Sequence, residues 1–160
     1  MSGSALLEGM RPCDEYARLA ERTGFFRPVE IDILREVVSD YQKTPDKDYS
    51  FFEETLDGKL AGFVIFGRTP LTDFAWDIYW IAVAGDMQGR GVGRRLVQRT
   101  EESILKDNKK AVIRIETSGK EQYEATQIFY EKTGFKQAGA IPDFYSEGDA
   151  LLNYYKTINR

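Results

Sequence analysis

The chain contains no histidine. That absence removes Ser-His-Asp and Cys-His catalysis, and with them the commonest metal ligand. Any general base must therefore be a carboxylate, or a water held by one. Cysteine is nearly as scarce. Cys13 stands alone, so no internal disulfide and no cysteine-based metal cluster can form, and no metal site is expected. Its expected role is a buried or half-buried structural thiol. No apolar run approaches the roughly 20 residues that cross a bilayer, so no membrane partner is expected. The first residues lack the basic stretch and apolar core of a secretory signal. A cytoplasmic location follows as the expectation. Positive charge is not in excess: 22 Lys and Arg stand against 26 Asp and Glu, a net charge of −4. Nucleic-acid binding rests on Lys and Arg meeting phosphates, so nucleic acid is not an expected partner.

What remains is an ordinary globular composition, with 42% hydrophobic and 30% charged residues over 160 positions. That length suits a single domain over residues 1–160. A short first strand is expected over residues 5–11. Helices follow from Pro12 to Gly24 and from Pro28 onward, where Ile31, Leu34, Val37, Val38 and Tyr41 form an apolar stripe. Tyr49–Leu56 and Lys59–Phe66 read as strands around a two-residue Asp57-Gly58 turn. A central strand starts near Phe74. Ala111–Thr117 alternates as a strand, and Ser118-Gly119-Lys120-Glu121 has capping-box spacing ahead of a helix ending at Gly134. That helix is expected to turn Ala125, Ile128 and Phe129 inward. A short strand over Phe135–Gly139, a loop over Ile141–Gly148 and a strand over Ala150–Thr157 complete the chain.

The most informative stretch runs from Trp76 to Leu96. A run of aromatic and β-branched residues breaks at Gly85-Asp86, passes through Gln88-Gly89-Arg90-Gly91-Val92-Gly93, and enters an apolar-periodic segment at Leu96, Val97, Thr100 and Ile104. This reads as strand, glycine-rich loop and helix. Glycines at alternate positions let backbone N–H groups point at a common centre. A helix start adds unpaired N–H groups and a positive dipole end. Together they suit an anion such as phosphate, with Arg90, Arg94 and Arg95 adding charge. The spacing matches neither G-x-G-x-x-G nor the phosphate loop G-x-x-x-x-G-K-[ST].

The spacing Q-x-x-G-x-G at Gln88, Gly91 and Gly93 resembles the coenzyme-A loop of the GNAT acyltransferase superfamily. Phe129-Tyr130-Glu131-Lys132-Thr133-Gly134-Phe135 resembles that superfamily's Y-E-K-x-G-F segment. The expected order of elements, β-α-α-β-β-β-α-β-α-β-β, agrees with it from about residue 5 to 157. The resemblance implies an α/β (α+β) GNAT fold, with a mixed, mostly antiparallel sheet flanked by helices. It implies acetyl-CoA as cofactor, its pyrophosphate on Gln88, Gly89, Arg90, Gly91, Val92, Gly93 and Arg94. It places the pantetheine arm along the backbone of Ile81, Ala82 and Val83, where an N–H would also serve as oxyanion donor. Many relatives carry Asn seven residues before the tyrosine; here that position is Tyr123, so one usual cofactor contact is in doubt.

Acyl transfer from a thioester to an amine needs a base, an oxyanion donor, an acid for the thiolate and correct placement. Tyr130 is the candidate acid. Asp77, flanked by aromatics on the central strand, and Glu116, at the end of the next strand, are the candidate bases. Strand alternation puts Asp77, Tyr79, Ile81 and Val83 on one face and Trp76, Ile78, Trp80 and Ala82 on the other. Asp77, Tyr79, Asp143 and Tyr145 are candidate acceptor contacts. The acidic set Asp77, Asp143, Glu147 and Asp149 suggests a cationic acceptor. The resemblance thus implies an N-acetyltransferase acting by direct transfer on a primary amine of a small molecule such as an amino acid or polyamine, and it admits a homodimer. The alternatives are a non-catalytic acyl-CoA sensor and a protein N-acetyltransferase.

Overall fold

The computed structural model describes residues 8–160. Among them are α1 (Cys13–Thr23), α2 (Pro28–Lys43), β1 (Ser50–Leu56), β2 (Lys59–Arg68), β3 (Ala75–Val83), α3 (Val92–Asp107), β4 (Lys110–Ser118), α4 (Glu124–Lys132), β5 (Lys136–Ser146) and β6 (Asp149–Asn159). The sheet order is β1-β2-β3-β4-β6-β5. β3 and β4 run parallel; β1–β2, β4–β6 and β5–β6 are antiparallel. Of the strand expected over 5–11, residues 5–7 lie outside the described residues, and Glu8–Arg11 form a turn and coil instead of a strand. No helix among the described residues is long and apolar enough to cross a membrane. The chain divides into two compact units. One holds Trp80–Thr100 and the chain up to Gly67; the other holds Arg68–Tyr79 and Glu101–Arg160.

In the first unit, α1 and α2 bury the stripes read from sequence. Tyr16, Ala17, Leu19 and Ala20 on α1 and Ile31, Leu34, Val37 and Val38 on α2 share one core with Phe51, Phe63, Ile65 and Ala82. Burying each large apolar side chain contributes about 1.5–3 kcal/mol. The Tyr16 ring stands edge-on to Phe51 and Phe63, with centroids 5.0 and 5.6 Å away. Its hydroxyl donates to Glu53 and accepts the Arg11 N–H, which satisfies a polar atom on a fully buried residue. Burial, reinforced by Glu53, pushes the Tyr16 phenol well above its ordinary range. Asp57 and Gly58 both have positive φ, 53° and 73°, the backbone of the primed two-residue hairpin turn. Gly62 matters for a different reason. A Cβ there would lie 2.7 Å from the Ala82 carbonyl oxygen and 2.9 Å from Val92 Cγ1. Only glycine lets β2 pass this close to β3 and the first turn of α3.

In the second unit, β4 pairs along its whole length with β6, Lys110–Ser118 against Asn159–Leu151. The C-terminal end of α4 is fastened by Lys156, whose Nζ donates to the Thr133 carbonyl at 2.8 Å and pairs with Glu101. Three expectations fail here. Ser118 does not open a capping box: it ends β4, and its hydroxyl donates to Asp149 while accepting the Lys120 N–H. The α-helix starts later, at Glu124. Its inward residue is Tyr130, while Ala125 and Ile128 are exposed, because so short a helix buries only the turn that meets the sheet. The loop expected over Ile141–Gly148 is the second half of β5. Pro142 and Asp143, with φ +55°, displace the register between Ile141 and Ser146. The strand is exposed along almost its whole length, so no alternation betrayed it.

Candidate functional site

The glycine loop lies in the first unit. After Val83 the chain makes a single 3-10 turn over Gly85–Met87. Gly89 and Gly91 then take φ of +75° and +78°, a region open to glycine and costly for residues bearing a Cβ. The first helical bond of α3 runs from the Arg95 N–H to the Gly91 carbonyl at 3.0 Å. The N–H groups of Val92, Gly93 and Arg94 therefore lie ahead of it and have no partner within the helix. The arginines divide their work. Arg90 reaches back to Met87 Sδ at 3.2 Å and Asp57 at 3.4 Å. Arg95 braces the loop by donating to the Arg90 carbonyl at 3.0 Å and faces Glu54 at 3.6 Å. Arg94 is exposed. Open N–H groups, a helix N-terminus and cationic side chains make a cradle that fits a pyrophosphate. Ile81, Ala82 and Val83 precede this loop as the last residues of β3.

The carboxylates lie in the second unit. β3 and β4 run parallel with Asp77 opposite Arg114. Arg114 Nε donates to Asp77 Oδ1 at 2.7 Å, and the Thr69 hydroxyl donates to Asp77 Oδ2 at 2.6 Å. Both Asp77 oxygens are thus engaged, and the residue is 8% exposed. The bond to Asp77 in turn pushes the Arg114 pKa further up. Glu116, two residues along β4, is exposed, and its carboxylate sits 3.9 Å from Arg114 Nη1. That is an ion pair without a hydrogen bond. Tyr79 is exposed on the same strand face as Asp77. Asp77 is buried on this face, with Arg114 and Thr69 bonded to its carboxylate.

Tyr130 is buried on α4 among aromatic rings, 5.5 Å from Tyr154 and 6.1 Å from Phe135. Burial, then Tyr145 and Tyr154, push its phenol well above the ordinary range. It therefore stays protonated at neutral pH, the state a proton donor needs. Tyr145 packs edge-on against Phe144 at 5.2 Å. The remaining acids are committed locally: Asp143 accepts the Gly148 N–H at 2.7 Å, and Asp149 accepts the Ser118 hydroxyl and sits 3.9 Å from Lys120. Cys13 donates to the Arg35 carbonyl and, with its pKa raised chiefly by burial, is a structural thiol. Among the described residues no three His, Cys, Asp or Glu gather to hold a metal.

Arg114 and Thr69 were missed in the sequence. The alternation of AVIRIET already placed Arg114 beside Glu116 on a polar face. Nothing in it aligned Arg114 with Asp77, because a parallel pair is joined by a long crossover with no fixed register.

A sequence model of the family described as the acetyltransferase (GNAT) domain matches residues 47–137, more than half the chain. A crystal structure from Desulfovibrio desulfuricans, assigned to the GNAT acetyltransferases, is 34% identical, with a TM-score of 0.83 over 90% of this chain and 91% of that one. An aminoglycoside 6′-N-acetyltransferase complexed with coenzyme A is 20% identical, with a TM-score of 0.75 over 98% and 97%. The ribosomal-protein-S18-alanine N-acetyltransferase from Escherichia coli is also 20% identical, with a TM-score of 0.68 over 94% and 92%. These last two share the fold. No curated protein sequence matches the chain.

Proposed function

The chain belongs to the GNAT acetyltransferase family, and from that premise we propose that it transfers acetyl from acetyl-CoA directly to the primary amine of a small molecule. The observation that carries the donor is the loop before α3. Two positive-φ glycines precede a helix start whose first N–H groups have no helical partner. A structural neighbour in complex with coenzyme A supports the same donor. Gln88, Gly89, Arg90, Gly91, Val92, Gly93 and Arg94 would hold the pyrophosphate, and the backbone of Ile81, Ala82 and Val83 the pantetheine arm. Acetyl-CoA supplies an activated thioester.

The chain's own residues then divide the proton work. Alkylamines are mostly charged at neutral pH, so the acceptor must give up a proton before its nitrogen can attack. Glu116 takes that proton, directly or through a water. Asp77 is the poorer base because Thr69 and Arg114 occupy both of its oxygens. A backbone N–H in Ile81–Val83 steadies the oxyanion. As the new C–N bond forms and the C–S bond breaks, the Tyr130 hydroxyl gives its proton to the departing sulfur. A second proton leaves the acceptor nitrogen to water. The test is release of free thiol from acetyl-CoA across a panel of amines. Turnover with at least one amine, dependent on Glu116, is the expected result; tight acetyl-CoA binding without turnover on any amine would make the chain a sensor instead.

A further inference from the structure

Arg114 is placed more carefully than a charge-neutralising residue needs to be. One edge of its guanidinium is fixed, with Nε donating to Asp77 at 2.7 Å while Thr69 holds the other Asp77 oxygen at 2.6 Å. A planar guanidinium gripped at Nε cannot rotate freely, and its remaining N–H groups point where the strand face dictates. Half of the Arg114 side-chain surface is open to solvent. Nη1 lies 3.9 Å from Glu116, too far for a hydrogen bond, and Tyr79 also faces the guanidinium. The face therefore presents a positioned fork with donors to spare. Beside it stands a single exposed carboxylate of opposite charge. An exposed ion pair at that distance is worth little, so a ligand carrying both charges can open it at small cost.

We propose that the acceptor is an α-amino acid, whose carboxylate is read by Arg114 and whose ammonium group is taken by Glu116, with Asp77 as the positioning residue. The proposal rests on the N-acetyltransferase reading above and names its substrate class. It also departs from the expectation of a purely cationic acceptor, because Asp77 and Asp149 bond to side chains of the protein itself. A carboxylate on a guanidinium fork forms short charge-assisted hydrogen bonds. An amino acid places its amine next to that carboxylate, as Glu116 is next to Arg114.

The test compares L-amino acids with their α-amides and with the amines that remain after decarboxylation. Two readouts are used on the intact protein: thiol release from acetyl-CoA, and calorimetric binding of each acceptor in the presence of coenzyme A. The expected result is a kcat/KM at least ~10-fold higher for the best amino acid than for its amide, as loss of a hydrogen bond to a charged group implies. In Arg114→Gln that preference collapses while turnover of the amide persists. The double variant Asp77→Asn/Arg114→Gln leaves no buried charge unpaired and should show the same collapse if Arg114→Gln is poorly folded. Amides or decarboxylated amines equal to amino acids in the native protein overturn the proposal and leave the acetyltransferase reading standing. Arg114-dependent binding of amino acids without thiol release supports the carboxylate site and overturns the transfer reading. Equal loss on all acceptors in a folded Arg114→Gln protein makes Arg114 structural and overturns the proposal.

Discussion

At the scale of single residues, the decisive facts concern where protons sit. Tyr130, the proposed proton donor, is a buried phenol with its pKa pushed up by burial and by Tyr145 and Tyr154, which keeps it protonated. Tyr130→Phe should lower kcat by something on the order of 10²-fold, as expected for loss of a general acid. Affinity for acetyl-CoA should barely change, since the ring that packs against Tyr154 and Phe135 remains. Wild-type turnover in a folded Tyr130→Phe protein would assign the residue to packing. The two carboxylates should separate in the same way. Protonating a base abolishes its function, so kcat/KM should fall on the acidic side. Glu116→Gln removes that dependence along with most of the activity. Asp77→Asn lowers activity by loosening Arg114 but leaves the acidic limb in place. A pH–rate profile for each variant decides the matter, and loss of the limb in Asp77→Asn alone would reverse the assignment.

At the scale of elements, the proposed phosphate cradle combines the loop with the α3 start. Gly91 takes φ +78°, and a Cβ there would lie 3.0 Å from Arg95 Nη1. Gly91→Glu therefore strains the backbone, disturbs the brace on the Arg90 carbonyl and adds negative charge at the cradle. The Kd for acetyl-CoA should rise tenfold or more, about 1.4 kcal/mol. Calorimetry on a folded variant measures it; unchanged affinity would move the pyrophosphate elsewhere. The same logic explains which elements were readable. Helices α1, α2 and α3 declared themselves through apolar stripes that the core uses, Leu96, Val97 and Ile104 among them. The β1–β2 hairpin declared itself through Asp57-Gly58. β5 was hidden because its pairing depends on β6 and neither of its faces is buried.

For the molecule as a whole, buried tyrosines set the alkaline limit. Tyr16 and Tyr130 have folded pKa values raised above the unfolded value near 10, and Tyr41 is pushed up to about 12, chiefly by burial. A raised pKa on an acid means that the folded state holds its proton more tightly. The associated stability is fully present below pH ~10 and is lost as pH climbs through the folded values. Urea midpoints should therefore be flat from neutrality to pH ~9 and fall steeply beyond pH ~10. Tyr16→Phe should shallow that fall, although it also leaves Glu53 without its phenol partner. A midpoint independent of pH up to 12 would show that these phenols ionise freely in the folded chain.

The amino-acid sequence by itself determined the catalytic vocabulary. Without histidine and with one cysteine, the expected proton-transfer roles fall to carboxylates and a tyrosine. Local rules also sufficed for the glycine loop, the hairpin turn and the helix stripes, because each is written in neighbouring residues. Tertiary structure decided which carboxylate has both oxygens hydrogen-bonded. Along the chain Asp77 is the first candidate base and Glu116 the second, and the parallel register of β3 and β4 sets Arg114 against Asp77. Register between strands joined by a long crossover depends on the packing of everything between them. For that reason the partner of Asp77 could be seen only in the folded molecule.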